Sequence, residues 1–191
     1  MRKTTFVGLG ILFLLIFSLT FGEILNFYGK ISGTATIEAP TFYGSVTNLG
    51  GSYYSLYINR LPDEAKGTLA LHDGNARFFV SQALNVTSWP PAIWKIFLNI
   101  ATNEIGNKVD VVLEFIKSDY SSKFQICSQQ LFLDSTSNKT YEVDCQSDSI
   151  SNLSPDDMLQ LKIQGIGPTS KYTLYADGST RIEISYGSQG E

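Results

Sequence analysis

The 191-residue chain contains two cysteines, one histidine and six prolines, and only 17% of its residues are charged. Each scarcity excludes something. Cys127 and Cys145 with a single histidine cannot supply the paired CxxC or Cys/His spacing of a zinc site. That histidine, His72, stands beside Asp73 and Gly74. No Gly-x-Ser-x-Gly, His-Glu-x-x-His, Walker or dinucleotide fingerprint accompanies it, so it reads as a solvated turn residue rather than a general base. Fourteen Lys and Arg against 18 Asp and Glu give a formal charge of -4, which provides no basic surface to neutralise phosphates. No metal, cofactor or nucleic-acid partner is expected. The longest apolar run, residues 6–21, falls short of the roughly 20 residues a spanning helix needs.

That run is nevertheless informative. It follows Arg2 and Lys3, and a cationic start before a short apolar stretch is the pattern of a secretory signal. Thr20 and Gly22 place small residues ahead of a cut before Glu23. The alternative is an uncleaved anchor continuing to Tyr28, which would bring Glu23 to the membrane at a cost. The expected organisation is a hydrophobic signal helix over residues 1–22, a strand segment over 23–40, one domain over 41–186, and a frayed tail over 187–191. Contact with a membrane is expected only through the signal.

Aromatic residues make up 13% of the chain, including 10 Tyr and 12 Phe, and they favour strands. Val109, Val111, Leu113 and Phe115 alternate with Lys108, Asp110 and Glu114, the clearest strand in the sequence. Trp94, Ile96, Leu98 and Ile100 alternate with Lys95 and Asn99 in the same way. About ten such runs predict an all-β, antiparallel two-sheet sandwich of jelly-roll type. Asp73-Gly74-Asn75 predicts a hairpin turn between residues 69–71 and 76–81, because Asp-Gly supplies positive φ. Ser154-Pro155-Asp156-Asp157 predicts a turn or a single helical turn. Cys127 and Cys145 fall on consecutive strands of an exported domain, where a disulfide can clamp them.

Several residues are candidates for function. Asn85, Asn138 and Asn152 each head an Asn-x-Ser/Thr triplet in an expected loop, and are candidate glycan acceptors. The pairs Asp63-Glu64 and Asp156-Asp157 follow prolines and read as solvated turn residues. Tyr53, Tyr54 and Tyr57 with Trp89 are a candidate platform for stacking sugars, set against ordinary core packing. Ile31, Gly33, Ala35 and Ile37 occupy one face of a short strand of small residues that ends at Pro40, and a strand this slender fits a narrow groove.

A signal followed at once by a Thr/Ser/Gly/Ala-rich strand, with the later stretch Trp94-Lys95-Ile96-Phe97-Leu98-Asn99-Ile100-Ala101-Thr102-Asn103-Glu104-Ile105-Gly106 leading into residues 109–115, resembles the TasA/camelysin-type secreted proteins and their archaeal bundling-pilus relatives. The resemblance implies a jelly-roll subunit that polymerises by donor-strand complementation, with other copies of itself as partners and Ile31, Gly33, Ala35 and Ile37 as the inserted face. A head-to-tail contact of that kind makes an open filament. A monomeric module that binds surface glycans is the second expectation, and a secreted hydrolase with dispersed carboxylates the third.

Overall fold

The computed structural model describes residues 39–167 and 169–186. The expected signal, the segment before Ala39 and the tail lie outside the described residues. Ten of the eleven strands form one continuous hydrogen-bonded path, the eleventh pairs beside it, and the sheet folds over into two layers. The first layer contains β1 (Thr41–Gly50), β3 (Gly67–His72), β5 (Ala92–Thr102), β8 (Lys139–Ser147), β10 (Lys171–Ala176) and β11 (Arg181–Tyr186). The second contains β2 (Tyr53–Ile58), β4 (Ala76–Ser81), β6 (Lys108–Ile116), β7 (Ser122–Phe132) and β9 (Met158–Ile166). The β1–β2 pair links the layers, and β1 carries register shifts between Gly44 and Asn48 and between Asn48 and Gly50. Such bulges bend a strand and increase its twist.

Alternation fixes what faces inward. Trp94, Ile96, Leu98 and Ile100 of β5 and Val109, Val111, Leu113 and Phe115 of β6 are all fully buried. The layers meet where the Trp94 ring abuts Phe115 edge-on, with centroids 6.1 Å apart. Trp89 packs on both, at 5.4 and 5.7 Å.

One local expectation needs correction. The Asp73-Gly74 turn forms, with Asn75 N–H donating to His72 O at 3.1 Å and Gly74 at φ 70°, but it closes no hairpin. β3 pairs with β10, whereas β4 pairs with β2 and β9. The turn is instead a corner that carries the chain from one layer to the other, held by Gly74 N–H to Gly165 O and Gly167 N–H to Asp73 Oδ1. Positive φ permits a tight reversal, and the partners available on each side decide whether its arms pair. The sheet also contains one parallel pair, β2 with β4, in a ladder that is otherwise antiparallel. Finally, β1 is a ten-residue strand with no clean alternation, since Gly44, Ser45, Asn48 and Gly50 interrupt its apolar residues. Gly44 is needed for space: a Cβ there would stand 3.2 Å from both Phe79 and Thr180.

Candidate functional site

The expected donor residues Ile31, Gly33, Ala35 and Ile37 lie outside the described residues, so the site on the described domain is its set of unpaired strand edges. Among the described residues there are three: β3 pairs only with β10, β8 only with β5, and β7 only with β6. An unpaired edge presents backbone N–H and C=O groups to any passing chain, and native proteins normally protect it.

β3 is protected by an arginine. Arg77 Nη2 donates to Ala70 O at 2.5 Å, and Nη1 to Ala76 O at 3.1 Å. In an antiparallel ladder a residue's N–H and C=O point to the same side, so Ala70 turns both groups toward the open edge. The His72 carbonyl is likewise taken, by Asn75. Arg77 carried no signal in the sequence, where it is one cation in an apolar strand. Its role appears only when β3 and β4 are placed in different layers.

β7 and β8 protect each other through side chains alone. Cys127 and Cys145 are joined by a disulfide with their Cα atoms 5.9 Å apart. Gln129 Nε2 donates to Asp144 O at 2.9 Å. Lys123 Nζ, at the start of β7, instead reaches the loop before β9, meeting Asp157 Oδ2 at 2.5 Å and Ser154 Oγ at 3.0 Å. No backbone ladder joins the two strands among the pairings of β7 and β8. Asp157 is therefore not the solvated turn residue that its sequence context predicts: it is 2% exposed and also accepts from Ser154 N–H at 2.6 Å. The turn at residues 154–157 does form, through Asp157 N–H to Ser154 O. Asp156, Asp63 and Glu64 are exposed, and Asp63 pairs with Lys66 at 2.6 Å. His72 is exposed at the end of β3. At the β7–β8 loop, Asp134 accepts from Lys139 and from the Tyr141 hydroxyl, which hold its carboxyl below the usual carboxylate range.

The candidate aromatic platform is divided between core and surface. Trp89 is 6% exposed and belongs to the core. Tyr54 leans on Phe79 at 6.0 Å, and Tyr57 donates to Thr47 Oγ1 at 3.4 Å. Tyr53 stacks on Phe78 at 4.8 Å and meets Tyr120 at 4.7 Å.

All three candidate acceptor asparagines are exposed in loops. Asn85 and Asn152 share one end of the sandwich, since their loops are hydrogen-bonded through Leu153 N–H to Thr87 O and Asn85 N–H to Pro155 O. Both have positive φ, 55° and 66°. Asn138 precedes Lys139, which pairs with Ile100 near the other end of β5.

No helix among the described residues is long and apolar enough to cross a membrane, and no group of three or more His, Cys, Asp or Glu residues among them is arranged to hold a metal ion. A disulfide-bonded domain of this kind is compatible with an extracellular setting. Neither a protein-family model nor a curated protein matches the sequence. Solved structures do match the fold. An aminopeptidase from the marine sediment archaeon Thaumarchaeota archaeon aligns with a TM-score of 0.54 at 8% identity, over 76% of this chain and 36% of that one. An α-amino acid ester hydrolase aligns at 0.51 and 9%, over 77% and 36%. A CocE/NonD family hydrolase from Staphylococcus aureus aligns at 0.51 and 8%, over 80% and 38%. The chain spans little more than a third of each of these hydrolases, and at such identity the likeness is one of β-fold alone.

Proposed function

We propose that this chain is a secreted, non-catalytic structural subunit of an extracellular filament. One copy donates the strand bearing Ile31, Gly33, Ala35 and Ile37 to an open edge of the next. The observation that carries this reading is β3, which is paired to β10 at all six positions and to no described strand on its other side. The β7–β8 seam is unsuitable while oxidised. A strand inserted there would set its flanking strands roughly 9.6 Å apart, at two ladder spacings, and a disulfide cannot bridge Cα atoms more than about 7 Å apart. Strand addition at β3 requires Arg77 to release Ala70 O to a donor amide, after which main-chain hydrogen bonds supply the affinity.

The test uses both partners of that contact. Deleting residues 23–39 should leave a folded domain that forms no fibres, and Ala35→Pro should impair fibre growth by removing a donor amide. Ala70→Pro should do the same from the acceptor side while sparing the fold, because its N–H faces the open edge, where proline is tolerated. A peptide of residues 29–39 should raise the thermal midpoint of the deletion variant, as a ligand of the folded state must. Native-like fibres from the deletion variant, seen by negative stain, refute the reading. The sugar-platform alternative has less support, since Phe78 and Tyr120 both pack on the Tyr53 ring.

A further inference from the structure

The three protected edges differ in what would happen if the protection were lost. β8 presents Glu142 and Asp144 outward, and charge on an edge discourages pairing. β3 is short and keeps Arg77. β7 has eleven residues, Ser-Lys-Phe-Gln-Ile-Cys-Ser-Gln-Gln-Leu-Phe, of which only Lys123 is charged. From Phe124 to Phe132 it has no charge, no proline and no glycine, and the Phe124 and Phe132 side chains are 43% and 60% exposed. Such a window is the composition of a self-pairing strand, in which stacked Gln and Ser side chains and aromatic rings complement copies of themselves. What shuts this edge against β8 is not a ladder but two side-chain links, the disulfide and the Gln129 amide.

We propose that β7 is a self-association edge gated by the Cys127–Cys145 disulfide, and that its occupant when the gate opens is β7 of a second copy. Reduction by a dithiol converts the disulfide to two thiols as the reductant becomes a cyclic disulfide. With the covalent link gone, β7 stays paired to β6 on one side and frees the other. Antiparallel pairing with the same strand of another molecule then extends the second layer across a two-fold axis. Cys145 is buried and Cys127 half-buried, so the reductant attacks at Cys127. In the oxidised protein the gate suppresses this pairing, which leaves β3 as the edge open to assembly. This last point rests on the filament reading, whereas the gate itself does not.

The experiment uses the full mature chain, oxidised or treated with dithiothreitol and alkylated, with mass read by light scattering after size exclusion. Near-UV circular dichroism monitors the fold. Reduction should at least double the mass of the smallest species while the near-UV signal persists, and Cys127→Ser with Cys145→Ser should reproduce it. Ser128→Lys, at an exposed β7 position, should return the reduced protein to the oxidised mass by charging the edge. The proposal is overturned by a reduced protein that does not associate, or by association that Ser128→Lys leaves intact. Loss of the near-UV signal on reduction also overturns it, because association would then reflect unfolding. Fibres that form in the oxidised state and vanish with residues 23–39 bear on the filament reading alone, so the two can fail separately.

Discussion

Gly165→Ala tests the corner that replaces the expected hairpin. Gly165 lies on β9 where β3 and β10 cross over it, and a Cβ there would stand 2.5 Å from Tyr172 Cε2 and 2.8 Å from His72 O. The backbone oxygen cannot retreat without loosening the His72–Asn75 turn. The tyrosine cannot retreat freely either, because its hydroxyl lies 2.7 Å from Lys108 O, 2.9 Å from Ile166 O and 3.2 Å from Ile166 N–H. Overpacking of a tight site costs about 1–3 kcal/mol, and displacing the hydroxyl leaves buried groups unpaired at a further ~1–3 kcal/mol. A loss of about 3 kcal/mol is expected, which for a chain of this size lowers Tm by roughly 6–12 °C. Urea unfolding of the wild type, Gly165→Ala, Tyr172→Ala and the double variant separates the two contributions. Removing the ring should make the alanine at 165 cheaper by at least ~1 kcal/mol, a coupling expected of residues in direct contact. If Gly165→Ala loses less than about 0.5 kcal/mol, or the two changes are additive, the close packing at this corner is wrong.

Replacing both cysteines with serine opens a loop of sequence separation 18 and should lower unfolding free energy by about 3 kcal/mol in the chain-entropy model, read by urea denaturation with a steeper slope because the uncross-linked unfolded chain exposes more surface. Because Lys139 and Tyr141 hold the Asp134 carboxyl below its ordinary value of 3.8 in the fold, the carboxylate contributes stability above that value and loses it as pH falls below it. Asp134→Asn should therefore flatten the acid limb of a stability–pH curve, and, because the same carboxylate raises Lys139 and Tyr141, alter its alkaline limb as well. We expect at least one of Asn85, Asn138 and Asn152 to carry a glycan in a host with the machinery. Intact mass before and after Asn→Gln substitution at each site checks this, and an unmodified mass refutes it.

Periodicity of two was enough to place most strands, because burial on one face of a sheet forces apolar residues to alternate. The expected runs at residues 76–81, 94–100 and 108–115 fall in β4, β5 and β6. The pairing of Cys127 with Cys145 was legible because two cysteines allow only one intramolecular bridge. β1 was not legible: its small residues answer to neighbours such as Phe79 and Thr180, remote in sequence. The Asp-Gly corner was legible as a turn but not as a crossover. Local backbone preference fixes φ at Gly74, whereas partners contributed by β10, β2 and β9 determine where the arms go.

Chain composition thus determined the class of this protein, because strands and the turns between them are properties of residue types and their spacing. Only the tertiary structure decided which edges remain open, that Arg77 covers one of them, that Asp157 is buried beneath Lys123, and that β7 and β8 are held by side chains rather than a ladder. An edge is defined by the strand that is not beside it. That is a long-range fact, and no window of sequence contains it.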